Sequence, residues 1–579
     1  MLRFIDDVLG RCKGCYFNVL PSARDTAPRF LEQQFRHIAS LRFSPPSSPC
    51  HINSFSRLKF KKISWLLNYW KPSYLACLSA KSLACYSLAY CSAARDNTED
   101  THHTPWDSLF DQLSKRGPRL EVDAKNIKIL SSPEAFFNQL KAGISKARSR
   151  IVLSSLYIGA ELLPCELINT IYNTLEQRPN IHLTILLDYS RSTRRLPSEH
   201  SFQSFLSPPK YFYQILCRLK KAFPSRVSLY LFHTPQLYWA PKMLIHGRYR
   251  ELIGVQHIKC YIFDDNLLIS GANLCQQYFT NRQDRYMWIC QSPNVCNFYH
   301  RLINAIGHYS FYLSSAVEYP MFSKRKPDPS FSTTEFKEQF KKEIAQLFNA
   351  ACLEKQHKNQ PSRASSDTWI FPTIQFKPAQ ILHDQEVCEL LLTLGLQSKV
   401  NSTCCIASPY FNFTDTYQRC ISMSEKQINI IVASPQANGF YKKGPLLGLI
   451  PHAYQYLLKK FLEALPSKTH VEVNEYRREY WTFHSKGLWL DLFTSNKSLP
   501  SASITAIGSS NFGVRSVERD LESQLIIFTK NNNLINHLKA EKKNLLKNSK
   551  PITSSSLNKE TDLPSILIPF IASIARKYM

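Results

Sequence analysis

His257 and Lys259, and again His484 and Lys486, set an imidazole and an ammonium two residues apart. Each pair leads to an aspartate, Asp264 or Asp491, in a His-x-Lys-x-x-x-x-Asp pattern. The imidazole can serve as nucleophile or general acid near neutral pH, and the lysine neutralises non-bridging phosphoryl oxygens as charge develops. One copy supplies half of a displacement. Two facing copies supply both halves: one histidine attacks phosphorus to form a phosphohistidine, and the other protonates the departing oxygen and later deprotonates the incoming hydroxyl. Such a site needs no metal and no other cofactor.

The elements that must position these groups are strands. HIKCYIFD and HSKGLWLD lie in apolar runs of strand length, and each downstream run ends in a small-residue turn, SGAN at Ser270 to Asn273 and GSSN at Gly508 to Asn511. Alternate side chains of a strand share a face, so each histidine points with its lysine while Ile258, Cys260 and Ile262 point into a core. Asp264 and Asp491 have the opposite parity. The motif counts them with the catalytic groups, whereas parity lets them brace the fold instead. Aligning Asn273 with Asn511 sets Asp284 (273 + 11) against Glu522 (511 + 11). A carboxylate at this offset can hold the far ring nitrogen of a histidine and fix its tautomer. The expectation is Asp284 on His257 and Glu522 on His484.

The chain has 579 residues, enough for two or three domains, 44% hydrophobic content and a formal charge of +28. That charge points to anionic partners, nucleic acid or acidic lipid. Neither an aromatic-basic array of an RNA-binding module nor zinc-spaced cysteine pairs stand out, and the 17 cysteines are scattered as in a reduced protein. Residues 1–95 hold 14 Lys/Arg against four Asp/Glu and many serines. This is the composition of a mitochondrial presequence or of a basic arm. The apolar stretch from Ile63 to Ala94 is broken by Lys71, Pro72 and Lys81 and is too interrupted to span a bilayer.

In order, the expected organisation is a basic N-terminal region and linker (1–117), a first α/β half (118–330), an amphipathic helix and linker (331–367), a second α/β half (368–550) and a C-terminal tail (551–579). Strands are expected at Ile151–Leu156, Ile181–Asp188 and Val227–Phe232, with a helix after Leu162. The loop after Asp188 carries Arg191, Arg194 and Arg195, either a phosphate clamp at a strand end or a solvated basic loop. Phe336, Phe340, Ile344 and Leu347-Phe348 fall on one face of a helix suited to packing between the halves. Lys442 and Lys443 in a glycine-bounded loop can meet a headgroup or be surface. The tail LPSILIPFIASIA ends in Arg576 and Lys577; it is too short to cross about 30 Å of hydrocarbon, and either rests in a membrane interface or packs on the domain.

The two motif stretches, with GANLCQQYFTNRQDRY and IGSSNFGVRSVERDLESQ beyond them, resemble the phospholipase D superfamily and, within it, the branch of mitochondrial phosphatidylglycerophosphate synthases, over roughly Arg119 to Lys530. The resemblance implies an α/β fold of two similar phospholipase D-like halves, each a mostly parallel sheet flanked by helices, with the active site at their pseudo-twofold interface. It implies His257, Lys259, Asp264, His484, Lys486 and Asp491 as catalytic, with His257 the nucleophile and His484 the acid/base. The repeat makes Asn273, Asp284, Asn511 and Glu522 the expected supporting residues; Arg515 and Arg519 are expected to bind substrate by the family pattern, and Arg191 by its place at a strand end. By the same resemblance the partners are CDP-diacylglycerol and glycerol 3-phosphate, on an anionic membrane surface of the mitochondrial inner membrane, without nucleic acid or an obligate protein partner. A phosphodiesterase or nuclease would use the same residues with water as acceptor, a phosphatidylserine synthase would use an amino-acid acceptor, and a scaffold with a decayed site would lack one of the six motif residues, all of which are present.

Overall fold

The computed structural model describes residues 106–578 apart from 194–209, 239–240, 242–244, 246, 315–319, 322–325, 357–365, 398, 442–446, 495–498 and 559–566. The basic segment 1–95, Arg194, Arg195, Lys442 and Lys443 therefore lie outside the described residues.

Two nine-stranded sheets form the frame. Across the first sheet the strands run Pro320–Met321, Phe311–Leu313, Val227–Phe232, His182–Asp188, Arg150–Ser154, Cys260–Phe263, Asn266–Ser270, Tyr286–Ile289 and Ile127–Leu130. The second runs Leu120–Glu121, Thr368–Gln375, Glu522–Thr529, Ala502–Gly508, Gly487–Leu492, Ser402–Ala407, Gln427–Ala433, His470–Tyr476 and Ser549–Ile552. Seven strands correspond in order, so the sequence repeat is a structural one. Arg150–Ser154, His182–Asp188 and Val227–Phe232 pair in parallel through helical crossovers, as do their counterparts in the second half. The motif strands join by hairpins and pair antiparallel, so each sheet is mixed.

Both motif strands are buried on two faces. Cys260–Phe263 and Gly487–Leu492 are buried throughout, as their continuous apolar sequence requires. Three apolar clusters fill the layers, and the largest contains residues of both sheets together with Phe336, Phe340 and Ile344. Those three project from the helix Thr333–Gln356, where Phe340 packs on Phe232 of the first half and Phe376 of the second. The expected packing helix is thus a wedge between halves.

The halves also exchange termini. The helix Asp107–Arg116 carries Trp106, Leu109 and Leu113 into the core of the second half, and Leu120–Glu121 pairs with Ile370 and Trp369. The folded unit therefore begins ahead of the boundary expected at residue 117. The C-terminal helix Leu567–Tyr578 packs Ala572 on Ala453 of the helix Ile450–Glu463 and leaves Phe570 exposed.

Candidate active site

Two parallel backbone bridges between the halves build the site. In one, Gln256 pairs with Leu521: the Leu521 N–H donates to Val255 O at 2.9 Å and the His257 N–H to Leu521 O at 2.8 Å. In the other, Thr482-Phe483 pairs with Arg282-Gln283, and the His484 N–H donates to Gln283 O at 2.8 Å. In a parallel register the next residues lie side by side. Those residues are His257 with Glu522 and His484 with Asp284.

The carboxylates are accordingly exchanged relative to the sequence expectation. His257 Nδ1 lies 3.0 Å from both Glu522 oxygens, and His484 Nδ1 lies 2.7 Å from Asp284 Oδ2. Asp284 thus orients His484 and Glu522 orients His257, because each histidine strand is zipped to the carboxylate segment of the opposite half. A carboxylate accepting from Nδ1–H leaves the lone pair on Nε2, the atom a nucleophile or base uses.

The lysines lie on the same faces as their histidines. Lys259 Nζ donates to His257 O at 2.7 Å, and Lys486 Nζ lies 2.9 Å from His484 Nδ1 and 3.2 Å from Nε2. All six groups are buried. Burial pushes both imidazoles and Lys259 well below their ordinary values and Lys486 down to about 8. It pushes Asp284 up to about 6, and Glu522 in the same direction. With lysines charged, carboxylates ionised and imidazoles neutral, the cluster balances two positive charges against two negative. An entering phosphate adds negative charge and shifts every cationic group upward, so the site is built to be completed by an anion.

A side chain would be crowded where the first turn passes Asp284 and Lys486. A Cβ on Gly271 would stand 2.8 Å from Asp284 Oδ1 and 3.0 Å from Lys486 Nζ. The second copy of the turn has Ser509 at this position, where its hydroxyl donates to Ser523 O at 3.2 Å.

The two histidines are not equivalent. Tyr278 OH lies 3.0 Å from His484 Nε2, whereas among the described residues nothing hydrogen-bonds His257 Nε2. The counterpart of Tyr278, six residues before Asp284, is Ser516, six before Glu522, which hydrogen-bonds the Asn511 N–H and the Glu522 side chain instead. Tyr410 completes the wall, its ring centroid 6.1 Å from that of His484.

Two motif residues are corrected from catalytic to bracing roles. Asp264, at φ 54°, accepts from the N–H groups of Arg148 and Ser149 at 2.8 Å, from Ser149 Oγ at 2.8 Å and from the Arg150 N–H at 3.0 Å. Asp491 accepts from Ser503 Oγ at 2.6 Å and pairs with Lys542. Strand parity turns both away from the histidines. Asn273 is buried beside the site, its Nδ2 donating to Tyr278 OH at 3.4 Å, and the Oδ1 atoms of Asn273 and Asn511 are both buried without a partner among the described residues.

The three arginines expected to bind substrate are engaged by the protein. Arg191 pairs with Glu251 at 3.3 Å and stacks on Tyr157. Arg515 bonds Asp520 at 2.9 Å, Glu251 O at 2.7 Å and Tyr578 O at 3.3 Å; Arg519 donates to Lys577 O at 2.7 Å and to Ile253 O at 3.3 Å. Arg515 and Arg519 thus hold the end of the C-terminal helix. Sequence reasoning missed Tyr278, Arg282 and Tyr410, which no short pattern marks; the one available signal is that Tyr278 and Arg282 precede Asp284 within the segment following the first turn.

Known proteins resemble the chain in fold and in sequence. Residues 396–546, which include His484 and Lys486, match the family model described as cardiolipin synthase, PLD-like domain. The chain is 33% identical over 549 residues to a Gallus gallus protein named mitochondrial CDP-diacylglycerol–glycerol-3-phosphate 3-phosphatidyltransferase, covering 90% of this chain and 92% of that one. A probable transferase of the same name from Dictyostelium discoideum is 34% identical over 87% of this chain and 86% of its own, and the mitochondrial Homo sapiens protein of that name is 32% identical over 81% and 86%. In fold the chain is similar to a phosphatidylserine synthase from Haemophilus influenzae, with a TM-score of 0.59 at 20% identity over 82% of this chain and all of that one.

Proposed function

The chain belongs to the family of CDP-diacylglycerol–glycerol-3-phosphate 3-phosphatidyltransferases, and we propose that it moves the phosphatidyl group of CDP-diacylglycerol to glycerol 3-phosphate through a phosphohistidine. The observation that carries this reading is the pair of buried His–carboxylate couples, each with a lysine on its face, meeting across the two halves.

His257 Nε2, without a hydrogen-bond partner among the described residues, attacks the phosphatidyl phosphorus; the N–P bond forms as the P–O bond to CMP breaks, and His484 protonates the departing oxygen. Glycerol 3-phosphate then enters where CMP left. His484 takes the proton of its attacking hydroxyl, the new P–O bond forms, and His257 leaves phosphorus. Lys259 and Lys486 neutralise the charge that accumulates on the non-bridging oxygens. The role of His484 as acid/base is supported by Tyr278, whose hydroxyl holds its Nε2 in place for proton transfer.

The setting follows from the substrate. The lipid donor requires a membrane surface, and among the described residues no helix is long and apolar enough to cross one. The mitochondrial names of the relatives and the basic, serine-rich segment 1–95 support a mitochondrial location, with peripheral attachment to the anionic inner membrane.

The test incubates purified protein with CDP-diacylglycerol in micelles, with and without glycerol 3-phosphate, following CMP and the lipid product. CMP release that depends on the acceptor, with phosphatidylglycerophosphate formed and both lost in His257→Ala, is expected. CMP with phosphatidic acid regardless of acceptor would identify a hydrolase.

A further inference from the structure

Arg282 stands beside His484, and its charge reaches the carboxylate of Asp284. Its Nε donates to Thr482 Oγ1 at 2.9 Å, and its guanidinium carbon lies 4.8 Å from the centroid of the Tyr278 ring, whose hydroxyl meets His484. Among the described residues Arg282 forms no ion pair, unlike Arg191, Arg285 and Arg515, which are all matched to carboxylates. A half-buried guanidinium held by a threonine and by the ring and side-chain hydrogen bond of Tyr278 has more N–H donors than these contacts use, and such a fork engages an oxyanion.

The pseudo-twofold makes this cation singular. Arg282 lies two residues before Asp284, and the corresponding residue two before Glu522 is Asp520. Asp520 is satisfied by Arg515 at 2.9 Å and by the Val255 N–H at 3.0 Å. One side of the site therefore has an acid at this position and the other a cation outside any ion pair among the described residues. The surroundings of Arg282 are shaped to admit a ligand: a Cβ on Gly439 would come within 3.2 Å of Arg282 Nη2 and 3.6 Å of Tyr410 OH, so the glycine keeps space open beside both.

Resting on the transferase reading, we infer that Arg282, with Tyr410 and the open edge at Gly439, is a subsite for a phosphate monoester on the His484 side of the reacting phosphorus. In an in-line exchange the leaving and entering groups occupy the same side, opposite the nucleophile His257. Each brings a phosphate monoester to that side, CMP next to the broken bond and glycerol 3-phosphate at the far end of its glycerol chain from the attacking hydroxyl. A forked guanidinium recognises that dianion and discriminates against an acceptor that lacks it.

The test measures kcat/KM for glycerol 3-phosphate and for glycerol, and the inhibition constant of CMP, in CDP-diacylglycerol micelles with the full chain. In Arg282→Gln the preference for glycerol 3-phosphate over glycerol should fall by about 10- to 100-fold, the size of a lost charged hydrogen bond. An equal weakening of CMP inhibition, with the acceptor preference intact, would instead assign the subsite to the leaving nucleotide. Arg282→Lys should lie between wild type and Arg282→Gln, and Gly439→Ala, which crowds the guanidinium without removing it, should move the same ratio in the same direction if Arg282→Gln does not fold. An unchanged preference together with unchanged CMP inhibition overturns the inference, even where total activity drops, because structural damage lowers use of both acceptors together. Wild-type protein that releases no CMP with glycerol 3-phosphate would sink the transferase reading itself, and CMP affinity would then still report on the subsite.

Discussion

His484 takes its carboxylate from the opposite half of the chain: Asp284 Oδ2 lies 2.7 Å from its Nδ1, while Glu522 lies 3.0 Å from Nδ1 of His257. Neither half holds a complete catalytic unit. Glu522→Gln should therefore act on the nucleophile His257 and slow the first release of CMP, whereas Asp284→Asn should act on His484 and slow chiefly transfer to the acceptor, because the phosphate oxygen of CMP leaves with little help from an acid while the acceptor hydroxyl must lose its proton to a base. Each amide can turn a donor toward Nδ1 and select the wrong tautomer, a change that costs about 10²- to 10⁴-fold in kcat in histidine-carboxylate systems. Rapid-quench measurement of the first turnover separates the two; a slower burst in Asp284→Asn with a normal one in Glu522→Gln would refute the crossed assignment.

The repeat was legible because chemistry fixed its spacing. His257, Lys259, His484 and Lys486 announce themselves by type, and strand parity already turned Asp264 and Asp491 to the opposite face. The crossing was not legible. Asp284 and Glu522 stand at the same offset from their turns, an equality that says nothing about which histidine each meets; that is decided by the bridges Gln256–Leu521 and Phe483–Gln283, between segments some 200 residues or more apart. The arginines show the same gap. A guanidinium is visible in sequence, but whether it meets substrate or the carbonyls of a distant helix, as Arg515 and Arg519 do, is a property of packing.

Asp264 should matter for stability and not for turnover. Replacing it by alanine removes the acceptor of four hydrogen bonds and leaves a residue without a polar side chain at φ 54°, at a cost of about 1–3 kcal/mol. Burial alone would raise its carboxyl, but the Arg150, Ser149 and Arg148 donors lower it below 3.8, so its contribution is present above that value and fades as pH falls below about 4. Denaturant titration should show the gap between wild type and variant closing in acid, with kcat of the folded protein within about twofold; a much larger loss of kcat would return Asp264 to the catalytic group.

Gly271→Ala reverses that split. Its Cβ would meet Asp284 and Lys486 at 2.8–3.0 Å, forcing the carboxylate off His484 while leaving the surrounding sheet intact. An activity loss of at least about tenfold is expected from one misplaced charged partner, with little change in unfolding midpoint. Equal activity in the alanine variant would mean that the turn yields more easily than its buried contacts indicate.

The charge states of Lys486 and Asp284 set the pH profile. Lys486 is needed as a cation, and burial brings it down to about 8, so kcat/KM for CDP-diacylglycerol should fall as pH rises through about 8. Asp284 is needed as a carboxylate to orient His484, and burial raises it to about 6, so activity should also fall as pH drops through about 6. The free enzyme is thus expected to show a bell between these limits. Bound diphosphate stabilises the ammonium, so the alkaline limb of kcat should lie above that of kcat/KM, and Asp284→Asn should lower the plateau while removing the limb near 6. A profile flat from pH 5 to 10, or an acid limb that survives in Asp284→Asn, would show that other groups control the reaction.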